Sequence, residues 1–240
     1  MTDKNTELSP FEFNHVERNN VHHFFLKKLR NIKNPVILEL GVNKGSSTAK
    51  FLNYVNLFGG NLYSIDITDR SNIIHSERFK NISTKKWNFL KSNDLNLDKI
   101  LTKYPELKNG IDLLYIDSYH DQVHVKKTLE KWYIYIKKYG YIFFDDTESC
   151  QYKMNKDFTH SINNDSIDEL VKDFHYRNYD HVVLTKYFSG SGLSEFFKLS
   201  KLGELPNFSS KIWSYNHFIG RIYLLLKRII YFIKSKDKKI

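Results

Sequence analysis

A single cysteine, Cys150, stands in 240 residues. No internal disulfide can form, and a chain of this kind suits a reducing compartment. With four prolines and ten glycines, the sequence has no low-complexity linker, and it has no internal repeat. No uninterrupted apolar run approaches the roughly 20 residues that a membrane span needs. The opening residues, MTDKNTELSPFEFNH, lack the basic-then-apolar pattern of a secretory signal. Together these absences predict a cytoplasmic protein. Acidic residues are also in deficit, giving a formal net charge of +10. The deficit is local: from Lys201 to Ile240 there are nine Lys/Arg against two acids, Glu204 and Asp237, so this stretch holds +7 of the +10. Basicity confined to an appendage does not make the main domain a nucleic-acid binder.

What the chain does have is apolar and aromatic mass: 41% hydrophobic residues, with 18 Phe and 16 Tyr. That is enough to bury the core of one large domain or two small ones. A first helix is predicted around Val16–Ile32. Short apolar runs at Val36–Leu40, Leu62–Ile67, Trp87–Leu90, Ile111–Asp117 and Tyr141–Asp145 then read as buried strands. Between them, Ser46–Phe58, Ser71–Asn81, Asn96–Tyr104 and His120–Lys138 read as helices; in the last, Val125, Leu129, Trp132 and Ile136 recur on one face. Ile167–Tyr176 adds a helix. His181–Thr185 and Leu193–Leu199 add two strands around a Gly190–Gly192 turn, which favours an antiparallel hairpin. The alternation predicts an α/β fold. It would be a Rossmann-like doubly wound sheet of about seven mostly parallel strands, with an antiparallel edge hairpin and helices on both faces. The expected division is a helical segment over residues 1–33, the main domain over 34–200 and a basic tail over 201–240.

The most informative stretch is VILELGVNKGSSTAKFL, Val36 to Leu52. A buried strand runs into a turn with Gly41 and Gly45, then into a helix. Gly41 allows a sharp turn and close approach to a ligand. Ser46 and Ser47 stand where a helix begins, and serine is a good cap there. Open backbone N–H groups would face the ligand. The spacing matches neither the dinucleotide fingerprint nor the phosphate-binding P-loop. Asp66, ending the next strand, is placed to accept hydrogen bonds from both ribose hydroxyls of a nucleoside. Turn and acid together suggest a nucleoside ligand without a pyrophosphate. The plain alternative is a tight turn and a strand-end aspartate capping the next helix.

A second constellation lies in IDLLYIDSYHD and GYIFFDDTE. Asp117 ends one predicted strand; Asp145 and Asp146 end the next. Parallel neighbours lie about 4.8 Å apart, so three carboxylates would converge at the ligand edge. Like charges so close need protons or a cation. Oxygen ligands at an open site suit Mg²⁺, with Mn²⁺ and Ca²⁺ as alternatives. Helix capping by the aspartates is the competing reading.

On these residues the sequence resembles the class I S-adenosylmethionine-dependent methyltransferases. Within them it is most similar to the metal-dependent branch of catechol and macrolide-sugar O-methyltransferases, over roughly Asn34 to Lys198. The resemblance implies S-adenosylmethionine as cofactor, its methionine part cradled by Glu39, Gly41, Gly45, Ser46 and Ser47 and its ribose held by Asp66. Ser92 and Asp94 would stand where the family contacts adenine. It implies a metal on Asp117, Asp145 and Asp146 and a substrate hydroxyl on the metal. His120, three residues past Asp117, is placed to act as base on that hydroxyl; packing or capping is its other reading. His124 is expected to support it, and His160 is a weaker rival. The implied reaction is in-line methyl transfer to oxygen, with Trp87 and Tyr119 as possible shelter. A polar loop over Thr147–Asn164 would suit a sugar or other polyhydroxylated acceptor better than a flat aromatic one. Two rivals stay open: a metal-independent methyltransferase with another acceptor, and a non-catalytic module of the same fold.

The stretch from Ile212 to Ile240 reads as a basic amphipathic helix. Ile219, Ile222, Tyr223, Leu226, Ile230 and Ile233 fall on one face, and Arg221, Lys227, Arg228 and Lys234 lie around the rest. Such a helix suits an anionic membrane surface. Packing on the domain, or on a second subunit in a homo-oligomer, is the alternative.

Overall fold

The central strands are apolar on both faces, as a sheet covered by helices on two sides requires. In the computed structural model the elements run α1 (His22–Leu29), β1 (Val36–Leu40), α2 (Ser46–Phe58), β2 (Asn61–Asp66), β3 (Trp87–Lys91), α3 (Leu97–Lys103), β4 (Ile111–Ile116), α4 (Gln122–Trp132), β5 (Ile136–Asp145), α5 (Phe158–Arg177), β6 (Val182–Tyr187) and β7 (Leu193–Lys198). The structure describes residues 22–30, 32–150, 152, 158–188 and 190–208, and beyond them the single positions Ile222, Leu225, Leu226, Ile229 and Ile230. The start of the helix expected from Val16 and most of the basic tail lie outside the described residues.

One seven-stranded sheet has the order β3-β2-β1-β4-β5-β7-β6. Strands β1 to β5 pair in parallel, and β7 is antiparallel to both β5 and β6. The Rossmann-like sheet and its edge hairpin are therefore as expected. Side-chain alternation sorts the core into two layers. Ile37, Leu113, Tyr115 and Phe143 point to the side covered by α1 and α2, where Phe51, Leu52 and Val55 meet them. Leu38, Leu114, Ile116, Ile142 and Phe144 point to the other side, against Leu129 and Trp132 of α4 and Phe174 of α5. The order reverses between β1 and β4, which both follow the same register at Leu40 and Ile116. Open α/β sheets bind ligands at such a switch point.

Four expectations fail locally. Ser71–Asn81 is not one helix but two 3₁₀ turns, Ser71–His75 and Glu77–Phe79; only Phe79 of the two is buried there, so too little apolar surface holds a longer helix to the core. The helix expected over His120–Lys138 starts at Gln122, because Asp121 caps it by accepting from the amides of Val123 and His124. It ends at Trp132 and passes through a 3₁₀ turn, Tyr133–Tyr135, before Ile136 opens β5. The polar stretch read as a loop up to Asn164 is helical from Phe158. Two of its buried polar side chains bond to carbonyls: Ser166 donates to the Ile162 carbonyl, and the Asn164 amide donates to the Glu148 carbonyl. Finally, neither Ser46 nor Ser47 caps α2. The cap is Gly45, with no side-chain bond.

Lys198 is fully buried at the end of β7. Its ammonium donates to the carbonyls of Tyr133 (3.1 Å), Ile136 (2.8 Å) and Lys201 (3.1 Å), and lies 4.4 Å from the centre of the Tyr133 ring. It thus ties the end of α4 and the start of β5 to the edge hairpin. Burial lowers its pKa to about 8. The unfolded lysine titrates near 10.5 and binds its proton more tightly. This group's contribution to stability therefore rises with pH between about 8 and 10.5, and is lost as pH falls through the folded value. Lys198→Met is expected to cost about 2 kcal/mol in urea unfolding at neutral pH, since three carbonyls lose their donor, and to flatten that pH slope.

Candidate active site

The ends of β1, β2, β3 and β4 surround a cavity of about 360 Å³, within the range of small-molecule sites. Gly41 and Asn43 form one rim, Asp66 and Arg70 a second, Ser92 and Asp94 a third, and Asp117, Tyr119, His120 and His124 a fourth.

The glycine turn is built by tertiary demand. Gly41 has φ of 95°, and a Cβ there would lie 2.0 Å from the backbone oxygen of Asp117. Close approach is thus needed between β1 and β4 themselves, as well as toward the cavity. Gly45, φ 73°, would drive a Cβ to 2.7 Å from Ile73 and 2.9 Å from Phe79. Asp66 holds the turn: its carboxylate accepts from the amides of Val42 (3.0 Å) and Asn43 (3.2 Å) and from Thr68 (2.8 Å). An acid expected for ribose is here also the brace of the glycine turn.

Glu39 lies behind the cavity wall, fully buried. It accepts from the hydroxyls of Ser47 (2.5 Å), Thr48 (2.8 Å) and Ser64 (2.6 Å). Burial raises its pKa to about 7 against those three bonds. The structure thus brings Gly41, Asp66, Ser92 and Asp94 to the cavity, while Glu39, Gly45, Ser46 and Ser47 stand outside its wall. Trp87 is also elsewhere, at the start of β3, where its indole donates to Ser64; Tyr119 does line the cavity.

Asp94 is nearly buried and accepts from Ser118 (2.7 Å) and from His124 (3.0 Å), while its own carbonyl accepts from Trp132 (3.0 Å). Burial would raise its carboxyl, but the His124 and Ser118 bonds outweigh it and hold the pKa below the usual value. His124 therefore does not support His120, as expected from one helical turn of spacing. Its partner is Asp94, 30 residues away in sequence, just after β3.

Beyond Asp117 the acidic cluster continues out of the cavity. The Asp117 amide donates to the Leu40 carbonyl, fixing its strand end. His120 sits between two of the acids, with Nε2 3.2 Å from Asp117 and Nδ1 2.5 Å from Asp146. Asp146 reaches it from a left-handed backbone, φ 55°, a conformation aspartate tolerates at some cost. Asp145 accepts from the Tyr115 hydroxyl (2.7 Å) and from the Asp146 amide (3.0 Å). Burial, then repulsion from Asp117 and Asp146, pushes the Asp145 carboxyl up to about 8. Burial disfavours the imidazolium of His120, but its bonds to Asp117 and Asp146 raise its pKa to about 10. In this arrangement both ring nitrogens of His120 face carboxylates, and Asp117 and Asp146 favour its protonated form. Among the described residues, no three acidic, histidine or cysteine side chains are disposed as ligands around one point. His160, the rival base, is exposed and stacks on Tyr152 with ring centres 5.3 Å apart.

A sheet in this order, with a cavity at its β1/β4 switch and acids at the ends of β2, β4 and β5, has the architecture of the Rossmann-like methyltransferase fold. Residues 38–147 match the family model described as a methyltransferase domain. The resemblance to class I S-adenosylmethionine-dependent methyltransferases read from the sequence is borne out. No curated protein matches the sequence. Among solved structures, SAH-bound PaMTH1 from Podospora anserina is 14% identical with a TM-score of 0.56, over 74% of this chain and 77% of that one. CalS11, a TDP-rhamnose 3′-O-methyltransferase of calicheamicin biosynthesis, is 15% identical with a TM-score of 0.52, over 80% and 83%. MycE of the mycinamycin pathway, in complex with Mg, SAH and mycinamycin VI, is 16% identical with a TM-score of 0.50, over 85% of this chain but 54% of that one. The chain thus spans about half the length of MycE. At such identities these likenesses establish the fold.

Proposed function

We propose that this protein is an S-adenosylmethionine-dependent O-methyltransferase that acts on a hydroxyl of a sugar or other small polyhydroxylated acceptor and uses a divalent metal. One observation carries the reading: the cofactor-sized cavity and the acid cluster share Asp117 and His120. The TDP-rhamnose substrate of CalS11 and the Mg and SAH held by MycE support it.

The residues fit the metal by charge and donor type. Three carboxyl groups face a single imidazole, which pairs with only two of them, and Asp117 and Asp145 are pushed above their usual range by burial. A divalent ion on Asp117, Asp145 and Asp146 would supply Lewis acidity to an acceptor hydroxyl. S-adenosylmethionine would supply the activated methyl group. The chain's own part is placement. Gly41 leaves the β1 rim open, Asp66 offers its carboxylate to the ribose, and the Asp94–Ser118–His124 set shapes the adenine end. The Asp117 and Asp146 carboxylates hold the proton on His120 until one of them is engaged elsewhere; only then does His120 become a base. Orientation of this kind lowers a bimolecular barrier by several kcal/mol.

A metal-independent route is the second reading, and the His120 bridge favours it, since an imidazolium already compensates the acids. Methyl transfer from labelled S-adenosylmethionine to nucleotide sugars, with EDTA and then with Mg²⁺ restored, separates the two. Loss and recovery of turnover is expected; turnover indifferent to EDTA refutes the metal. Calorimetry tests the cofactor half alone. Asp66→Asn is expected to weaken S-adenosylmethionine about thirtyfold, because a charge-assisted bond worth roughly 2 kcal/mol is lost.

A further inference from the structure

The positions Ile222, Leu225, Leu226, Ile229 and Ile230 are helical, and each is between 44% and 57% exposed. Their spacing is i, i+3, i+4, i+7 and i+8, the signature of one helix face. At about 100° per residue they span an arc of about 140°. Five isoleucines and leucines side by side, each about half exposed, form a contiguous apolar stripe rather than the scattered exposure that is ordinary on a soluble surface. None of the five serves the cavity, and the methyltransferase fold does not account for them.

Charge tells what covers the stripe. The helical repeat of the sequence predicts Arg221 and Arg228 along one flank and Lys227 and Lys234 along the other, with Lys236, Lys238 and Lys239 following. Residues 201–240 carry +7 against +3 in the preceding 200. A second copy of the same helix would bring these cations against each other, and a nucleic acid would leave the isoleucines and leucines in water. An apolar stripe bordered on both sides by cations matches the boundary between lipid headgroups and acyl chains, with the cations at the level of anionic headgroups. Among the described residues no helix is long and apolar enough to cross a membrane.

We propose that the face made by Ile222, Leu225, Leu226, Ile229 and Ile230 docks the protein on an anionic membrane surface. The inference stands apart from the chemistry of the cavity and does not need it. It implies that an acceptor is met at the membrane plane.

Flotation of the full chain with vesicles tests it, using phosphatidylcholine alone and phosphatidylcholine with about a third phosphatidylglycerol. The chain is expected to float with the anionic vesicles, to remain behind with the neutral ones, and to be released by added salt. Lys227→Gln with Arg228→Gln is expected to lower the partition coefficient about thirtyfold, at roughly a factor of five per cation. Leu226→Asn with Ile229→Asn is expected to abolish flotation while leaving the thermal midpoint and the hydrodynamic size unchanged, which separates loss of docking from loss of fold. The proposal is overturned by any of three results: no flotation of the full chain with anionic vesicles, equal flotation with neutral ones, or undiminished flotation of the Leu226/Ile229 variant. A dimer in solution that this variant converts to monomer, without vesicle binding by the parent, overturns it in favour of a second copy on the stripe.

Discussion

Gly41→Ala is expected to cost at least about 3 kcal/mol of stability and to abolish measurable cofactor binding, although it adds one methyl group. Two penalties act at one atom. The backbone there has φ of 95°, a region that costs an L-residue about 1–3 kcal/mol. The new Cβ would also stand 2.0 Å from the Asp117 backbone oxygen and 2.9 Å from the Ser118 amide nitrogen. Neither is the yielding end of a side chain. Both belong to the strand end that carries Asp117, and the Asp117 amide is already committed to the Leu40 carbonyl at 2.8 Å. Relief therefore requires β1 and β4 to part where the cavity opens, moving Gly41, Asp117 and Ser118 together. Thermal unfolding and calorimetry with S-adenosylmethionine measure the two effects. A variant that melts like the parent and binds cofactor normally would show that the β1–β4 junction is soft. Gly45→Ala provides the comparison: its Cβ would press on the Ile73 methyl and Phe79 ring, at 2.7 Å and 2.9 Å. Those contacts are with the ends of side chains rather than with backbone, so the smaller loss is expected there.

That contrast bears on what a sequence can disclose. Glycine at position 41 was legible as a sharp turn near a ligand, but its partner, the Asp117 carbonyl, is 76 residues away and comes only with the sheet order. Strands β1, β4 and β5 were legible because burial on both faces writes itself as unbroken apolar runs. The switch point then followed from strand and helix alternation. Elements that owe their state to a distant partner were not legible. Glu39 looks like a ligand contact beside a glycine turn, yet three hydroxyls, one of them from Ser64 on β2, occupy its oxygens. His124 falls one turn after His120 by count, but its partner is Asp94, just after β3. The polar residues of Phe158–Asn164 lower its helical signal, because sequence patterns treat a buried asparagine with carbonyl partners like one in water. Lys198, inside a strand, gave no sign that three carbonyls wait for its ammonium. A lysine in a short apolar strand close to aromatic residues is the pattern to watch for elsewhere.

Asp145→Asn is expected to separate function from stability more cleanly than any other change in the site. The carboxylate is held at a cost: burial, Asp117 and Asp146 all push its pKa up, to about 8. Asparagine has the same shape, can keep its carbonyl oxygen for the Asp146 amide while its NH2 donates to the Tyr115 hydroxyl oxygen, and carries no charge to bury. The folded protein should therefore keep its thermal midpoint or gain a little. If Asp145 serves only the fold, nothing else changes. If it is one of three oxygens that hold a cation on the acceptor, turnover falls by about a thousandfold, the several kcal/mol that an electrostatic contact in the transition state supplies. Cofactor affinity should stay near that of the parent, because Asp145 stands outside the cavity that Asp66 and Asp94 line. Labelled methyl transfer, a thermal melt and calorimetry on the same preparation give the three readings. A stabilised variant with intact cofactor binding and lost turnover matches a residue kept for chemistry at the expense of the fold. Unchanged turnover would remove Asp145 from the metal set and leave the His120 bridge between Asp117 and Asp146 as the cluster's only electrostatic device.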